Sequence, residues 1–285
     1  MNGSHPKASA GTTASPRAFT PSSYSYLWRS DLPSAFEEMA STGFEETEIM
    51  AALPHIDLWD RSAELAGEIR RASQRTGLRI SGLNPPGLDI NISSADASMR
   101  EWSVEMYIAI GRLAAEVDAR YLVVHPGRVP VLIRAPGDIA REWVIAALSQ
   151  IARSLESTGL KVLFENTPTD LLDSGDECLD VVRHIGAGNL GLVYDVANGF
   201  MVEDPNDGLR AVAERLEVVH VSDTTRIRWR HDPVGTGEVD FRALAATVTD
   251  IGFDGDVVLE TVHPGEISEG LDRDRTMLQA AGWNG

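Results

Sequence analysis

Lys161–Glu165 reads KVLFE and Leu190–Asp195 reads LGLVYD, two short apolar runs that each stop abruptly on an acid. Three further runs stop as abruptly on an ionisable residue: YLVVH at Tyr121–His125, EVVH at Glu217–His220 and VVLE at Val257–Glu260. Near-continuous β-branched runs of this length mark strands with both faces buried, as in a parallel sheet. Working outward from them, the strand set is expected at Thr20–Tyr26, Glu46–Met50, Arg79–Leu83, Tyr121–His125, Lys161–Glu165, Leu190–Asp195, Val218–Val221 and Val257–Glu260. Helical periodicity fills the intervals over Leu32–Ser41, Ser62–Thr76, Ser98–Val117, Asp138–Ser157, Asp176–Ile185, Asp207–Glu214 and Phe241–Asp250, with Ile267–Ala281 after the last strand. Gly43, Gly77, Gly159, Gly186 and Gly252 fall where a helix C-terminus wants a left-handed residue. Eight strands, each followed by a helix, predict an α/β fold: a single (β/α)8 TIM barrel over residues 19–285. A doubly wound open sheet would carry a glycine-rich phosphate loop after its first strand, and none is present.

The remaining composition narrows the partners. The chain of 285 residues carries 43 acidic and 25 basic side chains, a formal charge of −18. Such a surface disfavours nucleic acid and anionic membranes. No run of eighteen apolar residues suggests a membrane span. Cys178 is the single cysteine, and the only lysines are Lys7 and Lys161, which tells against thiolate metal cages and Schiff-base chemistry. Residues 1–18, MNGSHPKASAGTTASPRA, read as a disordered leader without the apolar stretch of a signal peptide, so the cytoplasm is the expected compartment.

In a barrel of this kind the chemistry gathers at the C-terminal ends of the strands. Five consecutive strand ends supply His125, Glu165, Asp195, His220 and Glu260, spaced 25 to 40 residues apart, as one βα repeat requires. Any one of these acids alone would read as a helix cap, and either histidine alone as a hydrogen-bonded core residue. Five in succession, drawn only from Asp, Glu and His, point to a shared metal site. His5 lies in the leader, His55 in a loop and His184 on a helix, whereas His231 and His263 follow the seventh and eighth strands as further contacts.

The stretches ENTPTDLLDS, GLVYDVANGF, VVHVSDTTRIRWRHDPVGTGEVDF and VVLETVHPG resemble the xylose isomerase-like TIM-barrel superfamily. That group holds sugar phosphate isomerases and epimerases, ketose 3-epimerases and endonuclease IV. The resemblance implies that Glu165, Asp195, His220 and Glu260 hold one divalent cation. Three carboxylates and an imidazole make Mn²⁺ the expected ion, with Mg²⁺, Co²⁺ and Zn²⁺ also suited to the donor set. It further implies that Glu165 and Glu260 move a substrate proton and that Arg226 binds substrate hydroxyls. Two departures stand out. Asn198 occupies the place of a histidine in the usual Asp-x-x-His after strand six, and Asn84 and Trp229 replace ligands of the endonuclease branch. With the charge of −18, these losses tell against a trinuclear DNA-repair centre.

The expected function is a divalent-metal-dependent isomerase or epimerase, acting on a keto-sugar or related hydroxy-ketone by carboxylate-mediated proton transfer through a metal-stabilised enediolate. A lyase, dehydratase or glycoside eliminase on the same site is the alternative, and a non-catalytic sugar-binding or partner subunit is the alternative of another class. Substrate contacts are expected from His125, Asn198, Arg226, His231 and Trp28. Trp28, Trp59 and Trp229 would line an apolar wall for a sugar face or an aromatic aglycone, although packing of rim loops explains each equally well. Arg226–Arg230 (RIRWR) reads as a short strand with one cationic face suited to a carboxylate or phosphate, with Arg128 a second such candidate. The loop SGLNPPGLDIN reads as a rigid lid. A small-molecule sugar or polyol-derived substrate and a homo-oligomer complete the expectations.

Overall fold

The computed structural model describes residues 18–57, 63–87, 89–130 and 132–283. Residues 1–17 of the leader, Trp59, the first residue of the expected helix Ser62–Thr76, and Leu88 of the proline-rich loop lie outside the described residues. Ten strands follow in chain order: β1 (Phe19–Pro21), β2 (Glu46–Met50), β3 (Arg79–Asn84), β4 (Tyr121–Val124), β5 (Lys161–Glu165), β6 (Leu190–Asp195), β7 (Leu216–Val221), β8 (Asp223–Thr225), β9 (Arg228–Asp232) and β10 (Asp256–Leu259). Eight of them pair in parallel in the order β1-β10-β7-β6-β5-β4-β3-β2, and a bridge from Ser22 to Glu48 brings the two ends of the sheet together. The result is the expected (β/α)8 barrel.

Helices α1 (Leu32–Ser41), α2 (Ala63–Thr76), α3 (Ala97–Glu116), α4 (Gly137–Leu155), α5 (Gly175–Ile185), α6 (Val196–Val202), α7 (Pro205–Val212), α8 (Phe241–Asp250) and α9 (Ile267–Ala281) surround it. Much of the acid excess serves their ends: the side chains of Asp31, Asp96, Asp204 and Asp240 accept backbone N–H bonds at N-termini. Gly43, Gly77, Gly159, Gly186 and Gly252 all take positive φ. None of the described helices is long and apolar enough to cross a membrane.

The first strand is shorter than its sequence suggests. Pro21 has no N–H to continue the ladder, and residues Ser23–Tyr26 turn into a 3₁₀ helix capped by Ser22. Side chains complete the seam instead: Thr47 Oγ1 donates to Pro21 O at 3.0 Å, and Met50 N donates to Ser23 Oγ at 2.9 Å. Two other elements were not legible beforehand. The short helix α6 follows β6 directly, and β8 and β9 form an antiparallel hairpin beyond β7. Asp223 anchors that hairpin to the GTGEV loop by accepting bonds from Gly235 N, Gly237 N and Val239 N at 2.8–3.1 Å.

The barrel interior positions the site. Tyr121, Val123, Leu163, Val193, Val218 and Val258 form a small core of their own, separate from the larger layer between strands and helices. Side chains on a strand alternate with a period of two, so the next inward positions are His125, Glu165, Asp195, His220 and Glu260. One row of hydrophobic residues therefore carries the row of ionisable ones at the C-terminal mouth.

Candidate metal centre

Glu165, Asp195, His220 and Glu260 each place a ligand atom within 4.8 Å of the others, and all four are buried. His220 Nδ1 lies 3.6 Å from Glu165 Oε2 and 3.5 Å from Glu260 Oε2. Glu165 Oε2, Asp195 Oδ2 and His220 Nδ1 are enclosed and have no hydrogen-bond partner. Orphaned buried donors and acceptors are costly, and three converging on one point fit a cation. The donor set, hard oxygens and one imidazole, suits a divalent ion of the Mn²⁺ or Mg²⁺ kind.

The other oxygens are held by amides. Asn198 Nδ2 donates to Glu165 Oε1 at 3.2 Å and to Asn166 O at 2.9 Å. Trp229 Nε1, which can only donate, bonds Asn198 Oδ1 at 2.8 Å and so fixes the orientation of that amide. On the opposite side, Asn84 Nδ2 donates to Glu260 Oε1 at 2.9 Å, while its Oδ1 lies 3.0 Å from His125 Nε2. Asn198, at the position where the sequence resemblance implied a histidine, thus clamps one of the two glutamates.

A residue that the strand ends did not reveal completes the centre. Glu48, fully buried in the middle of β2, accepts from His220 Nε2 at 3.1 Å, Tyr121 Oη at 2.9 Å and Asn84 Nδ2 at 3.3 Å. A carboxylate on Nε2 fixes the tautomer and turns Nδ1 toward the cluster, as partners of metal-bound histidines do. Gly82 makes room for this arrangement, because a Cβ there would sit 2.1 Å from the Tyr121 ring. The signal in the sequence was weak: ETEIM alternates like a strand with one wet face.

Electrostatics follow from four carboxylates with no arginine or lysine partner among the described residues. Burial pushes Asp195 up to about 6 and Glu165 well above the usual carboxylate range. Burial alone would lower His220, but Glu48, Glu260 and Glu165 outweigh it and hold the imidazole well above its ordinary value. Burial would likewise raise Glu260, yet His220, His231 and His125 hold it down to about 2. His125 is pulled down to about 4 by burial and is neutral at pH 7. The crowd of carboxylates that draws a proton to His220 would equally draw a metal ion.

A cavity of about 660 Å³ opens above the cluster. His125, Glu165, Asn198, His231 and Glu260 line its floor, and Trp28 stands at its rim. His231 Nδ1 lies 3.3 Å from Glu260 Oε2 and 3.0 Å from Ser222 Oγ. Asp195 and His220 sit below the floor. Arg226 is placed elsewhere: its guanidinium donates to Phe200 O and to Glu203 O and stacks at 4.0 Å on the Phe200 ring. Within the cationic segment expected at Arg226–Arg230, Arg230 Nε pairs with Asp232 Oδ1 at 2.9 Å. Arg128 is exposed and is not part of the lining, and His263 is buried against Asp274 at 2.9 Å.

Known proteins share this fold. The chain is 22% identical to fructoselysine 3-epimerase of Escherichia coli O157:H7, over 80% of this chain and 84% of that one. It is 24% identical to L-ribulose 3-epimerase of Mesorhizobium japonicum, over 88% and 84%. A solved D-tagatose 3-epimerase-like protein superposes with a TM-score of 0.78 at 24% identity, covering 92% of this chain and 94% of that one. Residues 36–283 match the xylose isomerase-like TIM barrel family, and the chain belongs to it.

Proposed function

We propose that the protein is a divalent-metal-dependent isomerase or epimerase of a keto-sugar or related hydroxy-ketone. The observation that carries this reading is the convergence of three orphaned ligand atoms beneath a cavity floored by two glutamates. The relatives named as 3-epimerases of fructoselysine and L-ribulose support it. Glu165, Asp195, His220 and Glu260 would hold the cation, with Mn²⁺ the expected ion. When bound, such an ion supplies Lewis acidity to the substrate's carbonyl and its neighbouring hydroxyl.

The chain's own residues do the rest. One of Glu165 and Glu260 takes the proton from the carbon beside the carbonyl, and the other returns it from the opposite face. Asn198 and Asn84 hold the two carboxylates in place through their Oε1 atoms. His125, which is neutral at pH 7, and His231 both line the cavity floor and are placed to bind substrate hydroxyls. Positioned acid–base groups of this kind contribute roughly 10²–10⁴-fold each.

Solvent deuterium exchange tests the reading directly. Chelator-treated protein incubated with candidate ketoses in heavy water should incorporate deuterium only after Mn²⁺ is restored. Glu260→Gln, assayed at saturating metal, should exchange roughly 10²–10⁴-fold more slowly. Protein that takes up no divalent ion and exchanges no substrate proton would overturn the assignment.

A further inference from the structure

The cavity has two unlike ends. Its floor is the carboxylate and histidine cluster, whereas its outer wall is formed by Leu27, Trp28, Leu53, Val262 and Pro264. Trp28 is 77% exposed and adopts φ 62°, a left-handed conformation that a bulky residue avoids. Strain of this kind persists only when surrounding structure enforces it. Here Arg29, the next residue, donates from Nη1 to His263 O at 2.8 Å and from Nη2 to Gly265 O at 2.7 Å. Ser25 adds a second lacing: its Oγ accepts from His263 N at 2.8 Å and donates to Thr261 O at 2.7 Å. The loop bearing Trp28 and the loop bearing Val262 and Pro264 are thus tied into one rigid rim.

Size and charge identify the occupant. At ~30 Å³ per water-sized atom, 660 Å³ accommodates about 22 non-hydrogen atoms, and a six-carbon ketose has twelve. Arg230 is the single guanidinium among the described lining residues, and it is neutralised by Asp232. No arginine or lysine free of an acid partner lines it among the described residues, so a phosphate or carboxylate finds no cationic anchor there, and the acids of the floor would repel one.

We propose that the outer half of the cavity is an aglycone subsite, and that the substrate is a keto-sugar glycoside whose neutral aromatic group stacks on Trp28. The inference rests on the keto-sugar reading above and adds the substrate class to it. An indole carried on a backbone tied down in this way costs less to order on binding than one on a loose loop, which is how a preorganised surface gains affinity. Offset stacking on Trp28 and burial against Val262 and Pro264 then favour a planar ring over a methyl group.

Calorimetric titration of the Mn²⁺-loaded full chain with unreactive probes provides the test. Phenyl β-D-glucoside should bind about tenfold more tightly than methyl β-D-glucoside, and glucose 6-phosphate should gain nothing over glucose. Trp28→Ala should collapse the phenyl-over-methyl ratio toward unity, and Trp28→Phe should restore much of it. Equal binding of the two glucosides, a ratio that survives Trp28→Ala, or a preference for the phosphate would overturn the proposal. So would a Trp28→Ala variant that dissociates an oligomer while keeping the ratio, since the indole would then belong to a subunit contact. Binding ratios need no turnover, so a protein that fails deuterium exchange but prefers the phenyl probe would remove the isomerase reading and keep the subsite.

Discussion

The two ends of the barrel treat buried acids in opposite ways. At the floor, where the strands begin, Arg120 Nη2 lies 2.5 Å from Asp256 Oδ2 and 2.7 Å from Glu46 Oε2, and Arg79 reaches Glu46 Oε1 at 3.0 Å. Burial would raise Glu46, but these guanidiniums outweigh it and hold the carboxyl below its ordinary range. At the mouth, where the strands end, Glu165 and Asp195 meet imidazoles, the Asn198 amides and one another but no guanidinium or ammonium among the described residues, and both are pushed up. A permanent cation closes the end where the strands begin, while the acids at the mouth are left without one among the described residues. The contrast separates stability from function along a single axis, as the two faces of this fold do generally.

Asp195→Asn should have the largest effect on that contrast. Asn still caps α6 as Asp195 does through Asn198 N, so the backbone survives while one ligand charge is lost. Affinity for Mn²⁺, read by chelator competition, should fall at least ~100-fold. Without metal the sign reverses. Asp195 titrates near 6 in the folded state, against about 3.8 for an ordinary aspartate, so the folded chain binds the extra proton and loses stability as pH rises through that window. The penalty above pH 6 is roughly 2–3 kcal/mol, and removing the charge should raise the metal-free Tm at pH 8 by a few degrees. Below pH 4 the variant and the parent should melt alike.

Glu48→Gln comes next. It preserves shape but weakens the hold on His220 Nε2, and the expected loss is about 10–100-fold in metal affinity with the fold intact by circular dichroism. An unchanged affinity would mean that His220 is oriented by packing alone. Arg120→Met is the smallest perturbation and belongs to the other end. Because Arg120 is about a third exposed, solvent screening limits the cost to ~1–2 kcal/mol of stability, and metal affinity should move less than twofold. A large loss of metal binding there would erase the division between the two ends.

How much of this was legible in the sequence depended on whether a residue closed a pattern or sat inside one. Glu165, Asp195, His220 and Glu260 interrupt apolar strands, so their strand-end positions were visible without coordinates. Glu48 was hidden because an acid alternating with Thr47 and Ile49 looks like a solvent-facing position, and only barrel closure turns it inward. Asn84 and Trp229 stood out as substitutions, yet their clamping of Glu260 and Asn198 depends on contacts between distant strands. Arg226 shows the converse. The resemblance implied a substrate contact for it, but the β8–β9 turn delivers it to the carbonyls that end α6.

Gly82 deserves a last consequence. The empty place where its side chain would be is what lets the phenol of Tyr121 lie across the barrel and reach Glu48. A single added methyl there, touching neither cation nor sugar, would displace the ring, unhook the acid and loosen the imidazole above it. Volume at the wall of a strand would thereby become a remote control on how firmly the proposed centre grips an ion.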